Sequence, residues 1–246
     1  MAVPPTPPIW WVASRSLVLM LWLLVPAGAG LAAESAVVQE ILDGKELYID
    51  QQQAKVKQKA LAPQQLSTRN SRGQILFNSG AVGRLNRFSQ LRLGSSCFLV
   101  DRGQVLISGR QNGCTRSARL SVRGTNYLIE VNETGESDIS VLEGSVEVQA
   151  LQDGKPSGAP PSIVEAGQKL KLSPKGLVLA LLSLGEGDYE RILRGPLFQG
   201  YQLPLPGFGA LESHLRSRFP ALSLPQPTLP TVPSAPVPSF GLPRLF

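Results

Sequence analysis

The sequence predicts an all-β protein, and three features carry that prediction. From Arg119 to Val148 the chain reads Arg119-Leu-Ser-Val-Arg-Gly124-Thr-Asn-Tyr-Leu-Ile-Glu-Val131, a polar segment from Asn132 to Asp138, then Ile139-Ser-Val-Leu-Glu143-Gly144-Ser-Val-Glu-Val148. Apolar and polar residues alternate with period two, as in strands with one buried face, and no helical period competes. Turn residues recur every ~8–12 positions, which favours short antiparallel strands in a sandwich, roll or solenoid over an α/β fold. Gly (24) and Pro (21) are plentiful while aromatics make up only 6%, which suits many short strands and turns.

Within the 246 residues both ends read as non-globular, which leaves one core of about 150 residues. Residues 1–33 read as a secretory signal peptide. Arg15 precedes the apolar run Leu17–Val25, and small residues from Pro26 to Ala33 follow it. Nine residues rise only ~14 Å as a helix, about half of a bilayer core. The alternative is an uncleaved N-terminal membrane anchor facing the periplasm, extended through Trp10-Trp11.

The β-domain is expected over 34–173. Val37–Leu42 and Lys45–Asp50 predict a hairpin, because Asp43-Gly44 supplies the positive φ that a two-residue turn requires. Gln51–Ala62 is polar and bears Lys55, Lys57 and Lys59, as in a surface strand or loop. Short strands are expected at Gln74–Asn78, Arg84–Arg87, Gln90–Leu93, Cys97–Val100 and Gln104–Ser108, with glycines, Gly103 among them, between or just beyond them. Gly124-Thr125 and Glu143-Gly144 are expected as turns in the central stretch, and Ala166-Gly167 between the strands of Ser162–Ser173. A short extension over 174–200 contains Leu177–Leu184, a buried strand or packing segment, and one or two helical turns over Asp188–Arg194. From 201 to 246 the chain holds ten prolines, which predicts an extended, disordered Pro-rich tail.

Cys97 and Cys114 are the two cysteines. In an up-and-down meander, strand 97–100 runs out and 104–108 runs back, so both fall at one end. Export with an even cysteine count then favours a disulfide over two buried thiols. No Cys-x-x-Cys exists and His214 is distant in sequence, so no metal site is expected.

Charge is segregated along the chain. Ser67–Arg123 has ten arginines and one acid, Asp101, whereas Gly124–Glu190 has eleven acids and four lysines. Pairing between neighbouring strands of the two halves is the favoured expectation. The other reading is an anion-binding surface including Arg84, Arg87 and Arg92, since guanidinium groups grip carboxylate or phosphate bidentately. Nucleic acid is not expected as a partner, because no basic-aromatic motif is present.

No nucleophile elbow, zinc-protease helix, phosphate-cradling loop or dinucleotide fingerprint occurs, and the single histidine, His214, lies at the edge of the proline-rich tail, so no His-based triad is expected. No enzymatic activity and no cofactor are expected. Asn132-Glu-Thr134 matches a glycosylation sequon, a tripeptide that is frequent by chance.

Four motifs taken in order resemble the FecR domain. They are Gly103-Gln-Val-Leu-Ile, Val122-Arg-Gly-Thr125-Asn-Tyr-Leu-Ile-Glu-Val131, Val141-Leu-Glu-Gly144-Ser-Val-Glu-Val148 and Glu165-Ala-Gly-Gln168-Lys-Leu170, and the likeness spans residues 40–172. It implies an all-β periplasmic domain. In the family's prototype this domain belongs to an inner-membrane regulator that relays a signal from an outer-membrane TonB-dependent transporter to a cytoplasmic sigma factor. The short stretch ahead of Leu17 leads to the expectation of an exported FecR-like protein lacking the cytoplasmic anti-sigma region. The resemblance brings no catalytic residues; Gly103, Gly124, Thr125, Glu143, Gly144 and Gly167 become fold-signature positions. The functional expectation is a non-catalytic interaction or signalling module of the bacterial envelope with an envelope protein partner. The alternative is a binder of anionic glycan or lipid headgroups through the arginine surface.

Overall fold

A computed structural model describes residues 34–224 together with Met1 and Ala2. The expected signal peptide or anchor and the last part of the expected tail lie outside the described residues. The chain divides into two compact units, Met1–Ala32 and Ala33–Phe246, and the fold below is that of the second.

Its first half consists of β1 (Ser35–Leu42), β2 (Leu47–Ile49), β3 (Gln52–Gln53), β4 (Lys59–Leu61), β5 (Gln65–Thr68), β6 (Arg72–Phe77), β7 (Val82–Leu85) and β8 (Gln90–Arg92). The second half consists of β9 (Phe98–Ser108), β10 (Gly113–Cys114), β11 (Ala118–Val131), β12 (Ser137–Gln152), β13 (Lys155–Pro156), β14 (Ser162–Glu165), β15 (Gln168–Leu172) and β16 (Val178–Ser183). Two helices, α1 (Glu186–Leu193) and α2 (Phe208–Arg218), close the described chain. The all-β expectation holds. The strands form one hydrogen-bonded sheet in the order β16-β15-β12-β11-β10-β9-β7-β6-β1-β4, and β8 ties β5, β2 and β3 to β9 as a branch.

The sheet curls around one core. Ala36 and Val38 of β1, Phe77 of β6, Phe98 of β9, Tyr127 of β11 and Leu170 of β15 share a single apolar cluster, although their strands are far apart in the sheet order. A second cluster covers the outer face, where Val82, Leu106, Leu128 and Leu142 meet Tyr189 and Leu193 of α1 and Leu211 and Leu215 of α2. This explains the unbroken apolar run Val105-Leu106-Ile107. Val105 and Ile107 point inward and Leu106 outward, and all three are fully buried.

Several expected turns are bends within long strands. β11 and β12 pair antiparallel along most of their length, from Ala118↔Ala150 to Val131↔Ser137, with irregularities between Arg123 and Tyr127. Gly124 (φ 57°) and Gly144 (φ 82°) lie inside this ladder. At Gly144, β12 changes its other neighbour from β15, paired with 137–141, to β14, paired with 145–148. β14 and β15 therefore follow each other along β12 rather than pairing, and Gly167 (φ 81°) between them donates its N–H to the Val141 carbonyl. Period-two alternation resumes after each glycine with its phase shifted, the core positions passing from Leu120 to Tyr127 and Ile129, and from Ile139 and Val141 to Val146 and Val148, and the long mutual ladder outweighs any local tendency to reverse. The actual hairpin turn is Asn132–Glu136, where Asn132 Oδ1 accepts from the Thr134 amide (3.0 Å), the Thr134 hydroxyl (2.7 Å) and the Glu136 amide (2.9 Å).

The strands expected at 97–100 and 104–108 are likewise one strand, β9. It pairs with β8 before Gly103 and with β7 and β11 from there on. Gly103 has φ 84°, and a Cβ there would lie 2.5 Å from Ser89 Cα. Gly103→Ala combines a left-handed backbone with a backbone clash, so a loss of about 2 kcal/mol in urea unfolding is expected.

Cys97 and Cys114 are joined, with Cα atoms 5.9 Å apart. The route differs from the expected one: β10 lies parallel beside the start of β9, pairing Gly113↔Phe98 and Cys114↔Leu99. The proposed Asp43-Gly44 hairpin is also corrected. The chain does reverse there, with φ 63° at Asp43 and 140° at Gly44. However, β1 ladders with β4 and β6, and β2 with β3 and β5. The Asp43 carboxylate accepts from Arg72 Nε (2.6 Å) and Arg87 Nη2 (2.8 Å), which fixes the turn over β6 rather than between paired strands.

The C-terminal boundaries also move. Residues 201–224, assigned to the tail by composition, carry α2, whose Leu211 and Leu215 are fully buried on the sheet. Leu177–Leu184 is not a buried strand: β16 lies at the end of the sheet order, and its residues are exposed or half-buried.

Candidate interaction site

Two arginines of the arginine-rich segment, Arg72 and Arg84, work inward, and the other eight are exposed. Arg84 on β7 is only 4% exposed. Its guanidinium donates to Gln74 Oε1 (2.7 Å), to the Leu197 carbonyl (3.0 Å) and to the Leu203 carbonyl (2.8 Å). It lies 4.0 Å from the Tyr201 ring centroid, a desolvated cation–π contact. Burial pushes the Arg84 guanidinium down to about 10, still charged at neutral pH. Arg72 grips the same segment by donating to the carbonyls of Pro196 and Gln199. Its hydrogen bond to Asp43 raises its pKa and lowers that of Asp43. Burial raises the Tyr201 hydroxyl well above its usual range. Arg72 and Arg84 thus clamp a belt, residues 195–205, across the outer face of the sheet.

Of the three arginines expected at an anion surface, one is buried and two are half-exposed. Arg84 is buried, the half-exposed Arg87 is paired with Asp43, and Arg92 lies 3.6 Å from Asp101. Arg116 reaches the same aspartate at 3.3 Å. The expected pairing between the two charged halves is corrected. Among the described residues, no ion pair joins Ser67–Arg123 to Gly124–Glu190. The acidic half pairs locally, with Lys169 and Lys171 each 3.7 Å from Asp138. Glu143 accepts from Asn126 Nδ2 at 3.1 Å and serves the bend at Gly144.

β16 is the most exposed apolar element of the described fold. Leu177 (66% exposed), Val178, Leu179 (55%), Leu181 and Leu182 all present aliphatic side chains to solvent. On its inner side β16 pairs with β15 from Gln168↔Ser183 to Leu172↔Val178, and no described strand pairs with its other edge. A tight turn across Ser173–Leu177 sets it in place, with the Ser173 amide donating to the Leu177 carbonyl. Natural sheets blunt free edges with charges or prolines. β16, reading VLALLS, has neither.

A cleft of about 290 Å³ lies between the outer sheet face and α1, lined by Glu130, Ser140, Lys169, Asp188 and Arg191 among others. Glu34 is buried, accepts from Gln111, and leaves its Oε2 without a partner among the described residues. Burial raises the Glu34 carboxyl above its usual range. A raised carboxyl favours folding in its neutral form, so that contribution is full below about pH 4.5 and is lost as pH rises through the folded value. Glu34→Gln should therefore be more stable than the parent at pH 8 and level with it near pH 4. Urea midpoints at the two pH values check this.

Among the described residues no group of three or more His, Cys, Asp or Glu is placed to hold a metal ion, and no helix is long and apolar enough to cross a membrane. No family profile and no curated protein matches this chain. Two crystal structures of a candidate anti-sigma factor from Parabacteroides distasonis are similar to it. One shares 16% identity over 62% of this chain and 73% of its own, and the other 15% over 63% and 89%, each with a TM-score of 0.42. A likeness this remote assigns neither partner nor activity.

Reading the sequence placed Asp43 at a turn but missed its pairing with Arg72 and Arg87, and it missed Tyr201 and the exposure of β16. An aromatic among prolines at Tyr201 was the one local signal of the belt. The exposure of β16 had no signal, because an eight-residue apolar run reads the same buried or bare.

Proposed function

We propose that the chain is a non-catalytic, exported FecR-like module that works through protein contact in the bacterial envelope. The exposed, uncharged edge strand β16 is the observation that carries this reading. Five large aliphatic residues at a free sheet edge form a template for strand addition, in which backbone hydrogen bonds supply affinity and side-chain packing supplies selectivity. The arginine route to an anionic polymer is weaker, because the buried Arg84 is committed to the belt.

The test is capture from envelope extract at low and high salt, comparing the parent with Leu179→Lys/Leu181→Lys and with a chain ending at Leu224. Truncation at Gly200 would remove Tyr201 and α2 and so disturb the fold. Salt-resistant capture lost in the lysine variant supports the reading. Capture of glycan or lipid alone, lost as salt rises, overturns it.

A further inference from the structure

We infer that the cleft between the outer sheet face and α1 binds a small amphipathic zwitterion, of the size of an α-amino acid or a dipeptide. This goes beyond the reading of β16 as an interaction edge, and no residue of β16 lines the cleft.

Strand register fixes the groups on the floor of the cleft. Ser140 of β12 stands opposite Leu128 of β11 on one side and Lys169 of β15 on the other. One step along the same face, Glu130 of β11 lies between Gln104 of β9 and Asp138 of β12, with Lys171 beyond Asp138. The charges of this floor do not cancel in pairs. Lys169 and Lys171 approach the same oxygen of Asp138, Oδ2, each at 3.7 Å, so one carboxylate serves two ammonium groups. Half-buried Glu130 makes neither an ion pair nor a side-chain hydrogen bond among the described residues. At the rim, by contrast, Asp188 is fully engaged, accepting from Arg191 Nη1 (3.1 Å) and from the Gly185 amide (3.0 Å). The cleft therefore holds a carboxylate with no cation at one end and an ammonium with half a counter-ion at the other. Between them lies Ser140, only 2% exposed, whose hydroxyl has no hydrogen-bond partner among the described residues. A buried polar group in that state calls for a partner.

A ligand ammonium answers Glu130, a ligand carboxylate answers Lys169, and Ser140 bonds to the polar atoms between them. Leu128, Ile192 and Leu197 supply the apolar wall for an aliphatic side chain. Glu130 and Lys169 stand two strand spacings apart, about 10 Å at the backbone, and their long side chains reduce that gap to the span of a small molecule. The volume of about 290 Å³ lies at the lower end of ligand pockets, which limits the occupant to this size. A molecule with one charge leaves the opposite end uncompensated, so both charges are required.

Calorimetric titration of the full chain with leucine, glycyl-leucine, isopentylamine and isocaproate tests this, since the last two keep the aliphatic stem and one charge each. At least one zwitterion should bind saturably with a Kd below about 1 mM, and about tenfold or more tightly than either singly charged analogue. Preference for leucine assigns a free amino acid, and preference for glycyl-leucine a peptide. Glu130→Gln and Lys169→Gln should each weaken the binding about tenfold, because each removes one charge-assisted contact. Amide NMR shifts on titration should centre on residues 128–140 and 188–197. The comparison of the four probes uses the parent chain alone, so it stands even where a substitution disturbs the fold. Isopentylamine or isocaproate binding as tightly as the zwitterions overturns the inference. So does binding that is indifferent to both substitutions or that shifts other residues, and so does the lack of saturable binding of either zwitterion up to about 10 mM.

Discussion

Arg84→Ala is expected to lower the free energy of unfolding by about 3 kcal/mol and to free the belt that crosses the outer face of the sheet. Two effects oppose each other. Removing a cation that burial disfavours returns part of its desolvation cost. Truncation, however, strands Gln74 Oε1 and the Leu197 carbonyl, and each buried acceptor left without a donor costs ~1–3 kcal/mol, whereas the carbonyl of the exposed Leu203 can turn to water. The stacking on Tyr201 is lost as well. Two stranded buried acceptors and the lost stacking outweigh one relieved charge, so the net effect is destabilising. Arg84→Lys should recover only part of the loss, because one ammonium cannot reproduce a guanidinium fork. Urea unfolding gives the magnitude. Limited proteolysis gives the mechanism, with cleavage between Gly195 and Leu205 rising in the variant before global unfolding. Unchanged belt protection would show that apolar packing alone holds the segment.

Replacing Cys97 and Cys114 together with alanine should cost about 3 kcal/mol on loop-entropy grounds for 17 residues of separation. For a domain of this size that corresponds to a fall in Tm of about 6–12 °C. The loss should concentrate locally. β10 is only two residues long, and its neighbour Gln111 links to the core by accepting from the Tyr127 hydroxyl (2.5 Å) and donating to Glu34. Calorimetry of oxidised and reduced protein checks the magnitude. Hydrogen exchange should show earlier opening at 109–117 than in β11 or β12, and equal protection across the domain would refute the local account.

Strand character was legible wherever period-two alternation ran long, because a sheet face is written into consecutive side chains. β6, β8, β11, β12 and β15 all fall where the pattern places them. Glycine was the misleading signal. A residue at positive φ suits a tight reversal and a bend inside a strand equally well. Gly103, Gly124 and Gly144 were therefore located correctly but misread as ends of strands. Which role a glycine takes depends on whether partner strands continue past it, and local sequence does not encode that.

The same division holds for the site. Residue type established that Arg84 seeks several acceptors, but only the tertiary structure decided that these are backbone carbonyls more than a hundred residues away. Composition marked 201–246 as proline-rich. The folded chain keeps Tyr201 and α2 because the outer sheet face has apolar residues, Leu106, Leu128 and Leu142, that need a cover. By itself the sequence determined the β-class of this protein, the positions of its bends and the candidate disulfide pair, since these follow from the chemistry of neighbouring residues. Only the tertiary structure decided which strands meet, where the arginines point and that β16 remains at an open edge, because burial is a property of the whole sheet and not of any one strand.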